Sequence, residues 1–340
     1  AMLEELVPYT EDSPEEESDD FRMLTTGEYA GVGALIGNRG EGNIVIMPYT
    51  GFPAQNAGMR IGDLLLKVDS IAVLKKTTSE VSELLKGPAN TGVTVTVKRG
   101  EDTLQFSLNR KKISLKNVPF YGKLDEKTGY IKLSDFTTNA SAEVRNALVS
   151  LKAQGATQLV LDLRDNPGGL INEAVEIVNL FVPKGKEVVK TIGKLQQVNY
   201  TYKTNKTPVD TKIGIIVLIN DRSASAAEIV AGALQDHKRA TIMGSQTFGK
   251  GSVQTVRQLG PDTALKLTTA RYYTPNGKSI QAKGILPDVM LDETENGNVF
   301  AALRTREADL EKHLGNGQEA EKKNEERQKA REEALKKLEE

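Results

Sequence analysis

Residues 212–228 read Lys-Ile-Gly-Ile-Ile-Val-Leu-Ile-Asn-Asp-Arg-Ser-Ala-Ser-Ala-Ala-Glu, in which an apolar run gives way to a polar turn and then to a helix-forming segment. A continuous apolar run of this kind is typical of a strand that is covered on both faces of its sheet. Strands alternate with helices on both sides of it, from Gln158–Arg164 to Val253–Val256. This alternation predicts a mixed α/β core.

Two residues near this stretch, Ser225 and Lys250, have the pattern of a nucleophile and its base. Ser225 stands at the predicted start of the helix, and Lys250 is flanked by glycines in a loop after the next apolar strand. A serine hydroxyl is a weak nucleophile unless a neighbouring group accepts its proton. A lysine can do this only as the neutral amine, so its pKa would have to fall from about 10.4 to roughly 7–8.

The composition leaves few other bases for Ser225. The chain has 2 histidines and no cysteine, so Ser-His-Asp and Cys-His chemistry would depend on His237 or His313. His237 falls at the end of the helix that Ser225 begins, and His313 lies in a charged region, so neither is placed to act as the base. Gln254 follows Lys250 closely and is predicted to orient its amine by hydrogen bonding.

Acyl transfer also needs hydrogen-bond donors for the developing oxyanion. The predicted helix start leaves the Ala226 N–H without an intrahelical partner. A second donor is predicted from Gly168 or Gly169, because Asn166-Pro-Gly-Gly169 leaves a strand end and exposes backbone N–H groups. Each donor of this kind is worth about 3–4 kcal/mol in the transition state.

The residues alone leave two other interpretations of these motifs open. Ser225 and Glu228 have the spacing of a capping box, which would explain the serine structurally. The run from Gly244 to Lys250 has the spacing of a phosphate-binding loop. Against nucleotide binding, Gly251 stands where a magnesium-binding serine or threonine is needed, and the segment after it alternates like a strand.

Residues 27–111 have the pattern of a separate module of short strands and one helix. Gly31-Val-Gly-Ala34 is a glycine-rich turn that enters a strand. Residues 77–80 have the spacing of a capping box that opens a helix at 78–85. Residues 92–98 alternate with period two, as a half-buried strand does.

The order Pro-Ala-x-x-Ala-Gly-x-x-x-Gly-Asp over residues 53–63 resembles that of PDZ domains. The resemblance implies that the module binds an extended peptide along a sheet edge and holds its terminal carboxylate with backbone N–H groups. The residues of the carboxylate-binding turn are Gly31, Val32, Gly33 and Ala34. The alternative is that these glycines serve only to allow tight turns.

Composition and charge narrow the function further. With 340 residues and a formal net charge of −1, the chain is long enough for two domains, and no nucleic-acid partner is expected. Neither a metal nor another cofactor is expected, because the histidines and carboxylates show no ligand spacing. No apolar run approaches the roughly 20 residues that span a bilayer. The leading Ala1 leads us to expect that an export signal preceded residue 1.

The predicted organisation has four parts. They are an acidic N-terminal arm at 1–26, a PDZ domain at 27–111, an α/β core with the predicted nucleophile and base at 112–300 and a charged helical tail at 301–340. Glutamate, lysine, arginine and alanine dominate the tail, which is typical of an exposed helix or a frayed tail, and no functional role is expected of it.

Further motifs, in a fixed order along residues 20 to 295, make the chain similar to the carboxyl-terminal processing peptidases, also called tail-specific proteases. They are Leu161–Gly169, Ser223–Ile229, Thr247–Gly251, Thr269–Gly277 and Gly284–Asp288. The family nucleophile is the second serine of Ser-Ala-Ser, and its lysine lies 25 positions later; here 250 − 225 = 25. The resemblance therefore selects Ser225 and Lys250. It places the third catalytic member on Gln254 and the oxyanion donors on Ala226 and Gly168.

The resemblance implies a serine endopeptidase that works through an acyl-enzyme. The implied fold is a crotonase- or Clp-like α/β core with an inserted PDZ domain and helical arms at both ends. Family members cleave proteins with apolar, unstructured C-terminal tails, which the PDZ domain captures. They are typically exported to the bacterial periplasm or cell envelope, or to the thylakoid lumen, and the first of these locations is the one expected for this chain. Several are homodimers, and an adaptor protein that delivers substrates is a further partner to consider.

Two functions from other classes remain as alternatives. One is a non-catalytic scaffold that binds tails through its PDZ domain, and the intact Ser225, Lys250 and Gln254 argue against it. The other is a hydratase or thioesterase of the crotonase type, which also uses glycine-loop oxyanion donors. The inserted PDZ-like module and the Ser–Lys spacing disfavour that second alternative.

Overall fold

A computed structural model of the protein describes residues 11–13, 28–260, 263–291, 305–310 and 314–315. The chain divides into two compact units, Thr26–Leu115 and a second unit formed by Ala1–Thr25 with Lys116–Glu340. The predicted acidic arm and charged tail lie mostly outside the described residues. In the described part of the tail, Glu307–Asp309 forms a 3-10 turn.

The elements of the described residues alternate between strand and helix along much of the chain. The strands are β1 Glu11–Ser13, β2 Glu28–Gly31, β3 Ala34–Asn38, β4 Asn43–Pro48, β5 Leu64–Val68, β6 Ile71–Ala72, β7 Gly92–Arg99, β8 Asp102–Asn109, β9 Lys111–Ser114, β10 Phe120–Lys123, β11 Thr128–Lys132, β12 Gln158–Asp162, β13 Glu187–Gly193, β14 Tyr200–Lys203, β15 Gly214–Ile219, β16 Thr241–Gly244, β17 Ser252–Gly260, β18 Thr263–Tyr273 and β19 Val289–Met290. The α-helices are α1 Pro53–Asn56, α2 Thr78–Leu85, α3 Ala140–Ala153, α4 Ile171–Asn179 and α5 Ala226–Asp236.

In the unit Thr26–Leu115, a sheet in the order β3-β4-β5-β7-β8 encloses an apolar core with the helices. Helix α2 begins at the predicted capping box. Thr77 Oγ1 accepts a hydrogen bond from the Glu80 N–H at 3.2 Å, and Glu80 accepts one from the Thr77 N–H at 2.8 Å. Within the described residues β3 pairs only with β4, so its other side is an open sheet edge.

The other unit contains a sheet in the order β10-β11-β12-β15-β16-β19. β10 is antiparallel to β11, and every later pair of neighbours is parallel. Helices α3, α4 and α5 pack in sequence and contribute to one apolar core with this sheet. The predicted α/β core is confirmed. The loops that follow β12, β15 and β16 leave the same edge of the sheet, because the carboxyl ends of parallel strands lie side by side.

Strand β15 differs from the prediction in how it is buried. Ile215, Val217 and Ile219 are 6%, 0% and 1% exposed and belong to the core. Ile216 and Leu218, on the opposite face, are only half-buried. Two-sided burial was therefore wrong as a reason for this apolar run. Branched side chains favour a pleated strand even on a half-covered face, and that preference accounts for the same sequence.

A second, antiparallel sheet of this unit has the order β1-β18-β13-β14, with β17 paired to β18. The register between β17 and β18 shifts between Val253 and Gln254. Such a β-bulge bends a strand and changes the direction of the neighbouring side chains. Among the described residues, no helix is both long and apolar enough to cross a bilayer.

Candidate active site

Ser225 lies in the turn between β15 and α5. Its backbone has φ 52° and ψ −113°, a left-handed conformation that a side chain disfavours. Its N–H donates to Oε2 of Glu228 at 2.8 Å, which is one half of the predicted capping box. The neighbouring Ser223 is fully buried, and its hydroxyl donates to the Leu163 carbonyl at 2.8 Å. Ser223 therefore holds the turn together, whereas Ser225 is half-buried and accessible.

The loop after β12 lies directly against this turn. The Ala224 N–H donates to the Asn166 carbonyl at 2.9 Å. A Cβ atom added to Gly168 would lie 2.7 Å from Cβ of Ser225 and 2.9 Å from N of Ala226. Only glycine fits at such a distance, so the loop and the start of α5 touch backbone to backbone. The structure thus brings Gly168 to Ser225 and Ala226.

The N–H of Gly168 has a partner of its own. It donates to Oδ1 of Asn166 at 2.8 Å, and the Asn166 amide in turn donates to the Leu133 carbonyl at 2.9 Å. Asn166 is fully buried, which fixes this arrangement. To stabilise an oxyanion, the Gly168 N–H would have to exchange the Asn166 oxygen for the oxyanion.

The loop between β16 and β17 carries Lys250 and is held by Glu228 of helix α5. Oε1 of Glu228 accepts from the Thr247 hydroxyl at 2.5 Å and from the Gly249 N–H at 2.8 Å. Oε2 accepts from the Lys250 N–H at 2.9 Å. Since Oε2 also accepts from Ser225, one carboxylate joins the two loops that carry the predicted nucleophile and base.

Glu228 is fully buried, which disfavours its ionised form. Burial raises the pKa of Glu228 to about 7, although hydrogen bonds from Thr247, Gly249, Ser225 and Lys250 oppose the rise. Its carboxyl group therefore titrates near neutral pH.

Gln254 lies on β17 beside the β-bulge. Its Nε2 donates to Oγ1 of Thr268 at 2.9 Å and to Oγ of Ser252 at 3.4 Å. Its Oε1 is buried without a hydrogen-bond partner among the described residues. An unsatisfied buried carbonyl oxygen is costly, so this atom is an acceptor available to an amine.

In the unit Thr26–Leu115, the predicted carboxylate-binding turn lies between β2 and β3. Gly33 has φ +74°, and a Cβ there would lie 2.4 Å from Cβ of Phe52. The carbonyls of Val32 and Gly33 accept from the N–H groups of Ala54 and Tyr49 at 2.8 and 2.9 Å. Helix α2 contacts β3, and the turn leads directly into this edge strand of the sheet.

Comparison with known proteins decides the family. Residues 127–291 match peptidase family S41, and residues 45–99 match a PDZ domain. A carboxy-terminal-processing protease of Bartonella bacilliformis is 40% identical over 298 residues, which cover 86% of this chain and 68% of that protein. The chain belongs to peptidase family S41.

Other S41 relatives agree with this assignment. A probable CtpA-like serine protease of Staphylococcus aureus (strain N315) is 38% identical over 293 residues; the match covers 86% of this chain and 58% of that protein. The chain thus spans less than two thirds of that relative. Among solved structures, the photosystem II D1 C-terminal processing protease has a TM-score of 0.55 at 34% identity, covering 84% of this chain and 78% of that one. The resemblance inferred from the motifs is confirmed.

Sequence reasoning missed two polar residues of this S41 site, Glu228 and Thr247. Glu228 was interpreted only as part of a helix cap, and Thr247 only as a motif position. A signal was present, because Glu228 is the one charged residue in the apolar run 226–234 of α5. A carboxylate in such a run is buried by its helix and must find donors elsewhere.

The two histidines, which we did not expect to act as the base, differ in whether the structure describes them. His237 follows α5, and its Nε2 lies 2.6 Å from the Glu187 carbonyl oxygen. His313 is outside the described residues. Within the described part of this S41 chain, no group of three or more histidine, cysteine, aspartate or glutamate residues could hold a metal ion.

Proposed function

We propose that this S41 member is a serine endopeptidase with Ser225 as nucleophile, Lys250 as general base and Gln254 as the residue that orients the lysine. The observation that carries the proposal is the attachment of the Ser225 and Lys250 backbones to one buried carboxylate oxygen. That attachment holds the two loops in a fixed relationship before substrate arrives. Preorganised geometry of this kind lowers the entropic part of an activation barrier.

In the proposed reaction, Oγ of Ser225 attacks the scissile carbonyl carbon while its proton passes to the neutral Nζ of Lys250. The tetrahedral oxyanion accepts hydrogen bonds from the Ala226 N–H and from the Gly168 N–H once Asn166 releases it. Collapse breaks the C–N bond, and Lys250 returns the proton to the leaving amine. A water molecule, deprotonated by Lys250, then hydrolyses the acyl-enzyme and regenerates Ser225.

For substrates we propose proteins with apolar, unstructured C-terminal tails. The open edge of β3 can pair with an extended peptide, and the turn at Gly33 can receive its terminal carboxylate. A homodimer and an adaptor protein are further partners that we propose, and the proposed location is the bacterial periplasm or cell envelope. These assignments rest on the family relationship.

The test is cleavage of an unfolded protein with an apolar C-terminus by wild type, Ser225→Ala, Lys250→Ala and Lys250→Arg. All three variants should be folded by circular dichroism and inactive. Lys250→Arg is the informative one, because arginine keeps the charge but cannot become a neutral base. Activity in Lys250→Arg would rule out the proposed base. If wild type binds the tail but does not cut, a repeat with candidate adaptor proteins decides between a site that is shut until a partner arrives and a tail-binding scaffold.

A further inference from the structure

The segment 305–310 contains two charged residues that the proposed mechanism does not use. Arg306 is 7% exposed and Glu307 is 1% exposed, although the surrounding sequence is rich in charge. Charged side chains are rarely buried to this extent unless they are paired. The partners of Arg306 and Glu307 therefore show what this segment does.

Partners of the segment lie in the Lys250 loop and in the loop beside it. The Glu307 N–H donates to the Phe248 carbonyl at 3.1 Å. The Arg306 guanidinium donates to the Thr247 carbonyl at 3.2 Å and to the Lys283 carbonyl at 2.7 Å. Residues 247–251 thus have Glu228 as one anchor and the segment 305–310 as another.

Gln281 links Glu307 to the residue after Lys250. It is fully buried; its Nε2 donates to Oε1 of Glu307 at 2.8 Å, and its Oε1 accepts from the Gly251 N–H at 3.0 Å. A carboxylate is an acceptor only, so it fixes the Gln281 amide with nitrogen towards Glu307 and oxygen towards Gly251. The space at Gly251 is tight, because a Cβ there would lie 2.2 Å from N of Gln281.

We propose that Glu307, acting through Gln281, is a positioning residue for Lys250, which makes the segment 305–310 part of the active-site scaffold. The inference rests on the proposed role of Lys250 as the base. The Lys250 N–H is fixed by Glu228, and the Gly251 N–H is shared between Gln281 Oε1 at 3.0 Å and the Gly249 carbonyl at 3.1 Å, so the peptide units on both sides of the lysine are held. Without the Gln281 contact the second unit keeps only the local bond within residues 249–251, so it can rotate and move the amine away from Ser225. Misplacement of a reacting group by about 1 Å can cost a rate factor of about 100.

The orientation of the Gln281 amide permits a rescue experiment. Gln281→Glu places two carboxylates against each other. The double variant Gln281→Glu/Glu307→Gln puts the amide at position 307 and the carboxylate at position 281, so position 307 donates and position 281 accepts. We expect kcat on the unfolded substrate to fall about tenfold or more in Glu307→Ala and in Gln281→Glu, with KM unchanged. The double variant should recover most of that loss.

A second measurement does not depend on catalysis. Hydrogen exchange of the peptide that spans residues 245–255, followed by mass spectrometry, should accelerate about tenfold in Glu307→Ala. The matched control is Glu143→Ala. Glu143 lies on helix α3, and its carboxylate accepts a hydrogen bond from the Val118 N–H at 2.9 Å. The control should lower the melting temperature without changing exchange at 245–255.

The outcomes separate the two proposals. If wild type does not cleave but hydrogen exchange at 245–255 accelerates in Glu307→Ala, the proposed function fails and the role of Glu307 in positioning the Lys250 loop stands. If exchange at 245–255 is unchanged in Glu307→Ala, the positioning role is overturned whatever the activity. A loss of kcat that the double variant does not recover, together with unchanged exchange, would assign Glu307 a purely structural effect.

Discussion

The backbone N–H groups of Ser225 and Lys250 donate to the same atom, Oε2 of Glu228, at 2.8 and 2.9 Å. The two residues are far apart in the chain and belong to different loops of the parallel sheet. Because both bonds end on one oxygen atom, a displacement of the Glu228 carboxyl group would weaken the attachment of both loops. Glu228 therefore stabilises the relative placement of the two loops.

Replacement of Glu228 by glutamine should inactivate the protein without unfolding it. One amide nitrogen would face N–H donors where a carboxylate oxygen stood, so at least one of the two loops loses its anchor. We expect kcat to fall about 100-fold, measured on the unfolded substrate at saturating concentration. Glu173→Gln is the matched control, because Glu173 also accepts two N–H groups, those of Asn139 and Ser141, at 3.0 and 2.7 Å. Equal losses in both variants would refute a specific role for Glu228.

The same carboxyl group should make stability depend on pH. The pKa of Glu228 is about 7 in the folded state, above the value of 4.5 for an unperturbed glutamate. Between these two pH values the folded state holds a proton that the unfolded state has lost. The contribution of the protonated Glu228 to the free energy of unfolding is fully present below the unfolded-state pKa of 4.5, and it is lost as the pH rises through the folded-state pKa of about 7. One pKa unit corresponds to about 1.4 kcal/mol, so the free energy of unfolding should fall by a few kcal/mol on raising the pH.

The measurement for this second prediction is urea unfolding at several pH values between about 5 and 8, for wild type and Glu228→Gln. Glutamine does not titrate, so the variant should lack this part of the pH dependence. Other titrating groups are common to both proteins and cancel in the difference. Parallel curves for the two proteins would show that Glu228 does not change its protonation in this range.

Gly168→Ala should disrupt the site by steric overlap. The added methyl group would lie 2.7 Å from Cβ of Ser225, and the backbone at Gly168 has φ +102°. We expect kcat/KM to fall by a factor of about 100 and the protein to lose about 1–3 kcal/mol of stability. Gly185→Ala is the control for backbone strain alone, since Gly185 has φ +85° with no atom within 4 Å of the added Cβ. An active Gly168→Ala variant would contradict the described contact.

Gly33→Ala should impair tail binding in the unit Thr26–Leu115. The added Cβ would lie 2.4 Å from Cβ of Phe52, so the turn between β2 and β3 must move. The affinity of the full chain for a labelled peptide with an apolar C-terminus, measured by fluorescence anisotropy, should fall at least about tenfold. Gly51→Ala has a similar φ of +82° in open space and should bind normally. Unchanged binding in Gly33→Ala would place the peptide elsewhere.

The sequence predicted those parts of the structure that depend on local patterns. The capping box at Thr77 and Glu80 is such a pattern, because both partners lie within one turn. The strand before Ser225 and the loop around Lys250 were located in the same way, from apolar runs and glycines. Their meeting at one sheet edge followed from the parallel order of the strands.

The parts that could not be predicted depend on contacts between distant residues. Glu228 contacts Thr247 in the loop between β16 and β17, and the Gln281–Glu307 bond joins two segments separated by many residues. A charge-rich composition around Arg306 is typical of a solvated helix, and it contains no sign that two of its charges are buried. The Asn166–Gly168 hydrogen bond depends on a side-chain rotamer, which a motif does not specify.

The backbone at Ser225 has one further consequence. Its φ of 52° and ψ of −113° suit glycine better than serine, so the residue that the proposed mechanism requires is not the residue that the turn prefers. Laboratory evolution for heat resistance alone, with no demand for turnover, should therefore replace this serine by glycine. On the proposed role of Ser225 as nucleophile, the selected variants would be more stable and inactive, so a single substitution would exchange activity for stability.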